Sequence, residues 1–456
     1  MINLLLSAML LGARKLARAV MPSQQEIVNL VLKAFAVVYL VWLIAAVIAY
    51  KAEFVQVMFS NLFFGIYSTC VTTYILSRFL FSLFYRSKPD AGIEPHVAIV
   101  MPGFNEQDAI AASLTSLLEL RYPRDKLELV AVNDGSTDDT LAEMRRVAEA
   151  ADGRVQVIDF PENRGKRAAM AAGIRATSAE VIVFVDSDSV VEPDALRLLV
   201  QPLADARVGA VCGHANVLNV RDTWLTRMQA VRYFVAFRVV KAAESVFNAV
   251  TCCSGCFSAY RREAILPRLQ WWEGQTFLGV ESTFGDDRSL TNCVLRDWRV
   301  LYEKNAVSHT IVPTTFRAFV KQQTRWKRSW TRESLMVSRF IWRKHPVAAT
   351  FTYLSIVLPL IAPVAALHSI FWGVVAHDGS LPLIYIAGIY ALAVVYSLYF
   401  VLFQENYSVI WLYGILFVFF YLAIMLWQTY YAIATCRTAA WGTRPATAGM
   451  AGEGGA

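Results

Sequence analysis

The chain has 456 residues, of which 56% are hydrophobic and only 17% charged, with a net charge of +7. A soluble enzyme has roughly half its residues apolar and about a quarter charged, so this balance excludes a protein that is soluble throughout and points to a membrane. The positive charge sits beside apolar segments, at Arg14-Lys15 and Arg18 and from Arg317 through Arg343-Lys344. The positive-inside rule and anionic lipid explain that placement better than nucleic acid does, so the lipid bilayer is the expected partner and nucleic acid is not. The seven cysteines show no paired framework, and Cys252-Cys253-x-x-Cys256 has no second pair at zinc-finger spacing. Reduced thiols in a cytosolic domain are expected.

Residues 1–29 are expected to form an interfacial amphipathic segment, because Arg14, Lys15 and Arg18 follow the first apolar run, where a signal peptide carries its charge ahead of it. Two membrane helices are predicted within 30–90, over Leu30–Tyr50 and Val57–Phe84. Basic residues flank both, with Arg86 and Lys88 after the second, which puts the following domain in the cytosol.

From His96 the period changes. Strands are predicted at Val97–Met101, Leu127–Val132, Val155–Phe160 and Val181–Val185, separated by helices over Ala109–Leu120, Thr140–Ala151 and Lys166–Ala176. That alternation predicts a doubly wound α/β domain over 91–312 with its ligand at the strand carboxyl ends. Pro102–Glu106, Asn133–Asp139 and Asp186–Asp188 each follow a strand, as this arrangement requires. Residues 313–346 are expected to lie along the membrane surface. Apolar runs at Ala348–Ala376, Pro382–Phe403 and Ser408–Thr435 make up a membrane region over 347–436. The last run reads equally as a full crossing or as a bent pair that returns Trp441–Arg444 to the cytosol. Residues 437–456 carry that segment and a Gly- and Ala-rich tail expected to be disordered.

Three separated islands carry chemistry. In Asp186-Ser187-Asp188, strand alternation puts both carboxylates on one side, where they can hold Mg²⁺ or Mn²⁺ against a diphosphate. A solvated turn is the alternative for an isolated Asp-x-Asp, and the strand and the other islands decide against it. In Gly285-Asp286-Asp287-Arg288, Asp286 can cap a helix over Ser289–Arg296, while Asp287 is expected to be the general base that deprotonates an acceptor hydroxyl. A single in-line displacement then turns an α-linked donor into a β product with no covalent nucleophile. In Gln322-x-x-Arg325-Trp326, the amide can hydrogen-bond a sugar, the guanidinium can meet the departing diphosphate, and the indole can stack on a pyranose. A basic aromatic interfacial helix without catalytic duty is the alternative there.

Between these, Asp134 in Asn133-Asp134-Gly135-Ser136 can accept from a uracil or ribose, or can close an ordinary Asx turn. Asn163 to Arg167 open a helix whose amides, with Lys166 or Arg167, can meet diphosphate charge. His214, His309 and His368 lack partners at metal-ligand spacing and are expected to be structural.

These islands and their neighbours resemble the membrane-embedded processive β-glycosyltransferases. Val185–Asp188, Cys253–Arg262, Gln275–Gly279, Gly285–Arg288, Lys321–Trp326 and Trp441-Gly-Thr-Arg444 are most similar to the single-chain hyaluronan synthases. The resemblance spans about residues 94 to 345 plus the C-terminal tetrapeptide. It implies an α/β domain of GT-A type with a doubly wound mixed sheet, set between N- and C-terminal transmembrane helices. It also implies a plasma-membrane enzyme that polymerises UDP-sugars with Mg²⁺ or Mn²⁺ and secretes the growing polysaccharide through its own channel, with one chain able to suffice.

By position, Asp134, Lys166, Asp186, Arg325 and Arg444 would meet the UDP donor, and Asp188 with Asp186 the metal. Asp287 would be the base, with Arg325, Trp326 and Gln322 beside it, and Trp326, Cys253 and Asp286 would face the acceptor. UDP-GlcNAc and UDP-GlcA are the donors implied for hyaluronan. Cys256 stands where hyaluronan synthases often show proline, and the surrounding Cys-rich stretch is similar to the rhizobial chitooligosaccharide synthases. Chitin, chitooligosaccharide, poly-GlcNAc or another capsular polymer therefore stay open as products. A single transfer to a lipid carrier, and a transporter or receptor whose domain only binds nucleotide, are the remaining alternatives.

Overall fold

The computed structural model describes residues 24–53, 62–375, 380–403 and 409–438. Most of the 1–29 segment, and the Trp441–Arg444 motif with the tail, lie outside the described residues. The chain falls into two compact units, one drawn from residues up to Ile66 and from His368 to Tyr421, the other from Tyr67 to Leu367 and from Leu422 onward.

The second unit holds the sheet. Its strands are β1 (Val97–Gly103), β2 (Leu127–Asn133), β3 (Val155–Asp159), β4 (Val181–Phe184), β5 (Ser189–Val191), β6 (Val208–Val217), β7 (Ser258–Arg261) and β10 (Arg299–Thr310), with β8 (Thr276–Phe277) and β9 (Val280–Glu281) forming a separate hairpin. The eight strands lie in the order β3-β2-β1-β4-β7-β6-β10-β5. The first four are parallel, with Val97 of β1 opposite both Leu127 of β2 and Val181 of β4. Beyond β4 the sheet is mixed: β7 runs antiparallel between β4 and β6, β10 runs parallel to β6, and β5 closes the edge antiparallel to β10.

The parallel half forms where the apolar runs predict it, because a strand covered on both faces is apolar at every position. In β1 all seven residues are buried. Alternate residues feed two cores: Ala98, Val100, Ile182 and Phe184 pack on one face, and Val97, Ile99, Val181 and Val183 on the other. The helices Ile110–Leu118, Thr140–Ala150 and Lys166–Arg175 supply the crossovers.

The resemblance implies a mixed sheet, but the strands of its mixed half are not located by periodicity. β6 is broken by Gly209, Gly213 and His214, and β10 mixes Arg299, Glu303, Lys304 and Asn305 with its apolar residues, so neither reads as a strand by periodicity. Both glycines are needed where they stand. A Cβ on Gly209 would meet the Trp298 side chain at 2.5 Å, and one on Gly213 would meet Phe257 at 2.7 Å.

Among the described residues, Pro346–Phe371 and Tyr385–Phe403 are long and apolar enough to cross a membrane. Val409–Met425 and Gln428–Ala434 make a third crossing if the two pieces form one span. In the regions where two N-terminal spans are expected, the described residues form the helices Gln24–Glu53 and Leu62–Leu83. The second is anchored to the domain that follows it. Arg78 is buried 3.7 Å from Glu244 and stacks over the Phe351 ring at 4.7 Å, while the Tyr85 hydroxyl donates to the Tyr302 carbonyl at 2.8 Å. In the first unit, the Phe64 ring meets Tyr385 edge-on at 6.2 Å.

Candidate active site

At the carboxyl end of β2 the backbone N–H of Asp134 donates to Gly103 at the end of β1, at 2.9 Å. The Asp134 carboxylate accepts from the backbone N–H of Arg164 at 2.8 Å and of Gly165 at 3.1 Å. These bonds run to a loop some thirty residues away, so Asp134 is not closing a local Asx turn. It organises the entry to the helix Lys166–Arg175. Gly135 makes this closeness attainable: its φ is +66°, and a Cβ there would meet the Glu162 backbone at 2.2 Å.

That helix entry delivers Lys166 to the end of β4, where its ammonium donates to the Asp186 carboxylate. Burial works against the lysine charge, but Asp186, Asp287 and Asp286 outweigh it and hold the ammonium well above its usual range. Asp287, at the start of the helix Asp286–Leu295, shares this centre. A Cβ on Gly255 would stand 2.7 Å from an Asp186 carboxylate oxygen and 2.9 Å from one of Asp287, so both acids press on the same bare backbone. Burial pushes Asp287 up to about 6; Lys166 opposes the rise, and Asp186 and Asp286 add to it.

Asp188 is likewise pushed up to about 6, by burial and then by Asp186. Its carboxylate accepts from Ser189 and from Thr310 of β10, both at 3.2 Å. The Cys256 thiol is held well above its usual range by burial and by the charges of Asp186, Asp188 and Asp287. Folding therefore gathers Lys166, Asp186, Asp188 and Asp287 around the Gly255-Cys256 wall.

Three of the candidate residues are buried away from this centre. Arg167 does not accompany Lys166: it is buried and paired with Asp286 at 2.8 Å. Asp286, expected at the acceptor, is spent on that pair and is only 3% exposed. Cys253, also expected at the acceptor, is fully buried in the core, where its N–H donates to Thr291 at 2.9 Å and its thiol engages Cys212.

The third island lies on the helix Phe316–Ser338. Trp326 is partly exposed, with the Arg232 guanidinium 5.4 Å over its ring. Arg232 also donates to Gln323, whose amide donates to Gln322 at 3.2 Å, and Arg325 is half-buried on the same helix. Tyr233, the neighbour of Arg232, has its hydroxyl raised by burial and, in part, by Cys256, Asp188 and Asp186. The helix Trp224–Val235 thus meets Trp326 through Arg232 and brings Tyr233 within electrostatic reach of the carboxylates. Arg232, Tyr233 and Thr310 carried no sequence signal; Gly255 and Gln323 lay inside stretches noted for their likeness, without a role of their own. Arg444 lies outside the described residues. His214 is structural, as expected, buried between the Tyr302 hydroxyl at 2.8 Å and Asn216 at 3.1 Å.

The donor set suits a hard divalent cation. Asp186 and Asp188 offer two carboxylates whose mutual repulsion raises Asp188. Among the described residues no group of three or more His, Cys, Asp or Glu is arranged to hold a metal alone. Mg²⁺ accepts such a site, taking one or two carboxylates and completing its shell with phosphate oxygens and water.

Residues 98–266 match the model of glycosyl transferase family 2. The chain is 33% identical over 387 residues to a hyaluronan synthase of Streptococcus pyogenes, covering 83% of this chain and 90% of that one. It belongs to glycosyl transferase family 2. Over 244 residues it is 38% identical to an N-acetylglucosaminyltransferase of Rhizobium leguminosarum bv. viciae, covering 53% of this chain and 57% of that one. A mannosyltransferase from Pyrobaculum calidifontis, solved with GDP-Man and Mn²⁺, shares the fold with a TM-score of 0.56 at 24% identity, over 79% of this chain and 99% of that one. This family 2 chain is a sugar-transferring membrane enzyme with a GT-A-like mixed sheet.

Proposed function

We propose that the enzyme is a processive, inverting glycosyltransferase that makes hyaluronan from UDP-GlcNAc and UDP-GlcA and passes it through its own transmembrane channel. The observation that carries this reading is the convergence of Lys166, Asp186 and Asp287 on Gly255, at the strand ends of a chain similar to hyaluronan synthases over most of its length.

In this reading Asp134 and its loop receive the nucleoside, and Lys166 offsets diphosphate charge. Asp287 takes the proton from an acceptor hydroxyl as that oxygen attacks the anomeric carbon; the bond to the diphosphate breaks, its electron pair leaves with UDP, and the centre inverts. Arg325, with Arg444, meets the charge developing on the departing diphosphate. Trp326 stacks on the acceptor sugar beside Gln322. Asp186 and Asp188 would hold Mg²⁺ or Mn²⁺, which neutralises diphosphate charge when bound. The catalytic domain faces the cytosol at the plasma membrane, and one chain carries every group invoked.

The test supplies purified enzyme with each UDP-sugar alone and with both. High-molecular-weight polymer formed only with both donors is expected. Polymer from UDP-GlcNAc alone would replace hyaluronan with a chitin-like or poly-GlcNAc product, the reading favoured by Cys256 and by the identity to the rhizobial enzyme. A single glycolipid band would end the polymerase reading altogether.

A further inference from the structure

At two helix starts, adjacent residues face opposite ways. Lys166 faces Asp186 in the site, while Arg167 turns into the interior; Asp287 faces Gly255, while Asp286 turns to meet Arg167. The mechanism uses the first of each pair and leaves the second unexplained.

The second members open a chain of buried polar groups. Arg167 donates to Asp286 at 2.8 Å and to the Gln275 side-chain carbonyl at 2.8 Å. Ser289, on the Asp287 helix, donates to the same Gln275 oxygen at 2.6 Å. The Gln275 amide nitrogen donates to Glu333 at 3.2 Å, and Glu333 also accepts from Asn292 at 3.3 Å. Glu333 sits on the helix that carries Gln322, Arg325 and Trp326, five residues from Arg328 and fully buried. That helix also presses Ser329 against Gly285, where a Cβ would stand 1.9 Å from the serine oxygen.

We propose that Arg167, Asp286, Gln275 and Glu333 are positioning residues that fix the Asp287 helix against the Lys166 helix and the Trp326 helix, setting turnover and not donor affinity. The inference rests on Asp287 as the base. Apolar packing would tolerate small slides, whereas breaking a bond in this buried charged network leaves a charge or an amide unpaired at a cost. The network therefore favours one arrangement, even though Arg167 Nη2 and Asn292 Oδ1 are themselves without a hydrogen bond. A misplacement of about 1 Å at the reacting groups can cost about a hundredfold in rate. Gln275 is the hub because an amide alone presents an acceptor to Arg167 and Ser289 and a donor to Glu333. UDP affinity should be spared because the Asp134 carboxylate holds the donor loop through the backbone of Arg164 and Gly165, and neither Gln275 variant alters those bonds.

The donor-acceptor logic gives a reciprocal swap. In Gln275→Glu two carboxylates oppose each other. Adding Glu333→Gln restores every bond, because residue 275 still accepts from Arg167 and Ser289 while residue 333 supplies the amide donor. UDP release per folded molecule, UDP affinity by titration calorimetry and thermal stability are measured for Gln275→Glu, Gln275→Leu and the double variant.

Each single variant is expected to lower kcat about tenfold or more with UDP affinity within about twofold, and the double variant to recover to within about threefold of the parent. The proposal is overturned if folded single variants keep full kcat, if UDP affinity falls in step with kcat, or if the double variant is no better than Gln275→Glu. If Gln275→Glu does not fold, Gln275→Leu, which adds no charge, decides through its kcat against affinity split. Counting UDP makes the outcome independent of which polymer forms. A parent enzyme that releases no UDP from any donor would instead defeat the function reading, and Asp287→Asn with full turnover would defeat the base.

Discussion

The two halves of the sheet divide the labour. The parallel half, β3-β2-β1-β4, ends in Asp134, the Lys166 helix and Asp186, each on a turn close in sequence to its strand. The half from β7 to β5 delivers Gly255, Cys256, Asp287 and Thr310 from segments spread between residues 255 and 310. In the reading proposed above, the first half holds the nucleotide and the second performs the chemistry.

If that division is right, substitutions in the second half should strike turnover, and those in the first should strike UDP binding or folding. The largest effect is expected from Asp287→Asn, which should lower turnover by about a thousandfold while UDP still binds, as for loss of a general base. Steady-state kinetics beside calorimetry checks it; equal losses in both would erase the distinction. Gly255→Ala comes next. Its methyl would stand 2.7 and 2.9 Å from Asp186 and Asp287, and turnover should fall about a hundredfold with little loss of thermal stability.

The pH response should separate catalysis from stability. Asp287 is held near 6, so turnover should decline as pH falls through that value and the base takes up its proton. Stability of the metal-free enzyme should move the other way. Asp287 and Asp188 bind their protons more tightly folded than unfolded, so melting temperature should rise from pH 7 toward pH 4, between the raised value of about 6 and the ordinary 3.8. A melting temperature that falls over that window would mean the carboxylates are already compensated.

Gly135→Ala should act chiefly on the fold of the first half, costing about 1–3 kcal/mol from a left-handed backbone, with more from the clash at Glu162. UDP binding to whatever folds should weaken as well. The smallest effect is expected from Cys256→Ala, about 1 kcal/mol of stability with turnover largely kept, since the thiol lines the wall without a role in proton transfer. Loss of turnover there would move the chemistry onto Cys256.

The same division explains what could be read beforehand. Apolar runs and the residues directly after them located β1 to β4, Asp134, Lys166 and the Asp186–Asp188 pair, because parallel strands buried on both faces leave an unbroken hydrophobic signature. Asp287 was legible as an acid at a helix start. The facing of Arg167 and Asp286 was not, because whether a first-turn residue points to solvent, site or core depends on which helix packs behind it; nor was that of Cys253, which lies on an irregular stretch ahead of β7. Arg232 and Tyr233 were invisible for a similar reason: their neighbours come from distant elements, Gln323 lying 91 residues from Arg232. Strands β6 and β10 were hidden by glycines and charges that only a packed partner makes tolerable.

The opposed neighbours at the two helix starts also bear on how such an enzyme can be altered. An α-helix turns by about 100° per residue, so inserting or deleting one amino acid just ahead of Lys166 or Asp286 would rotate both members together. At the first entry an insertion would move Lys166 to the position that faces the interior, and a deletion would bring Arg167 to the position that faces the cleft. Length variation is therefore barred from these two entries, and attempts to retune sugar choice should vary side chains there while keeping the residue count fixed.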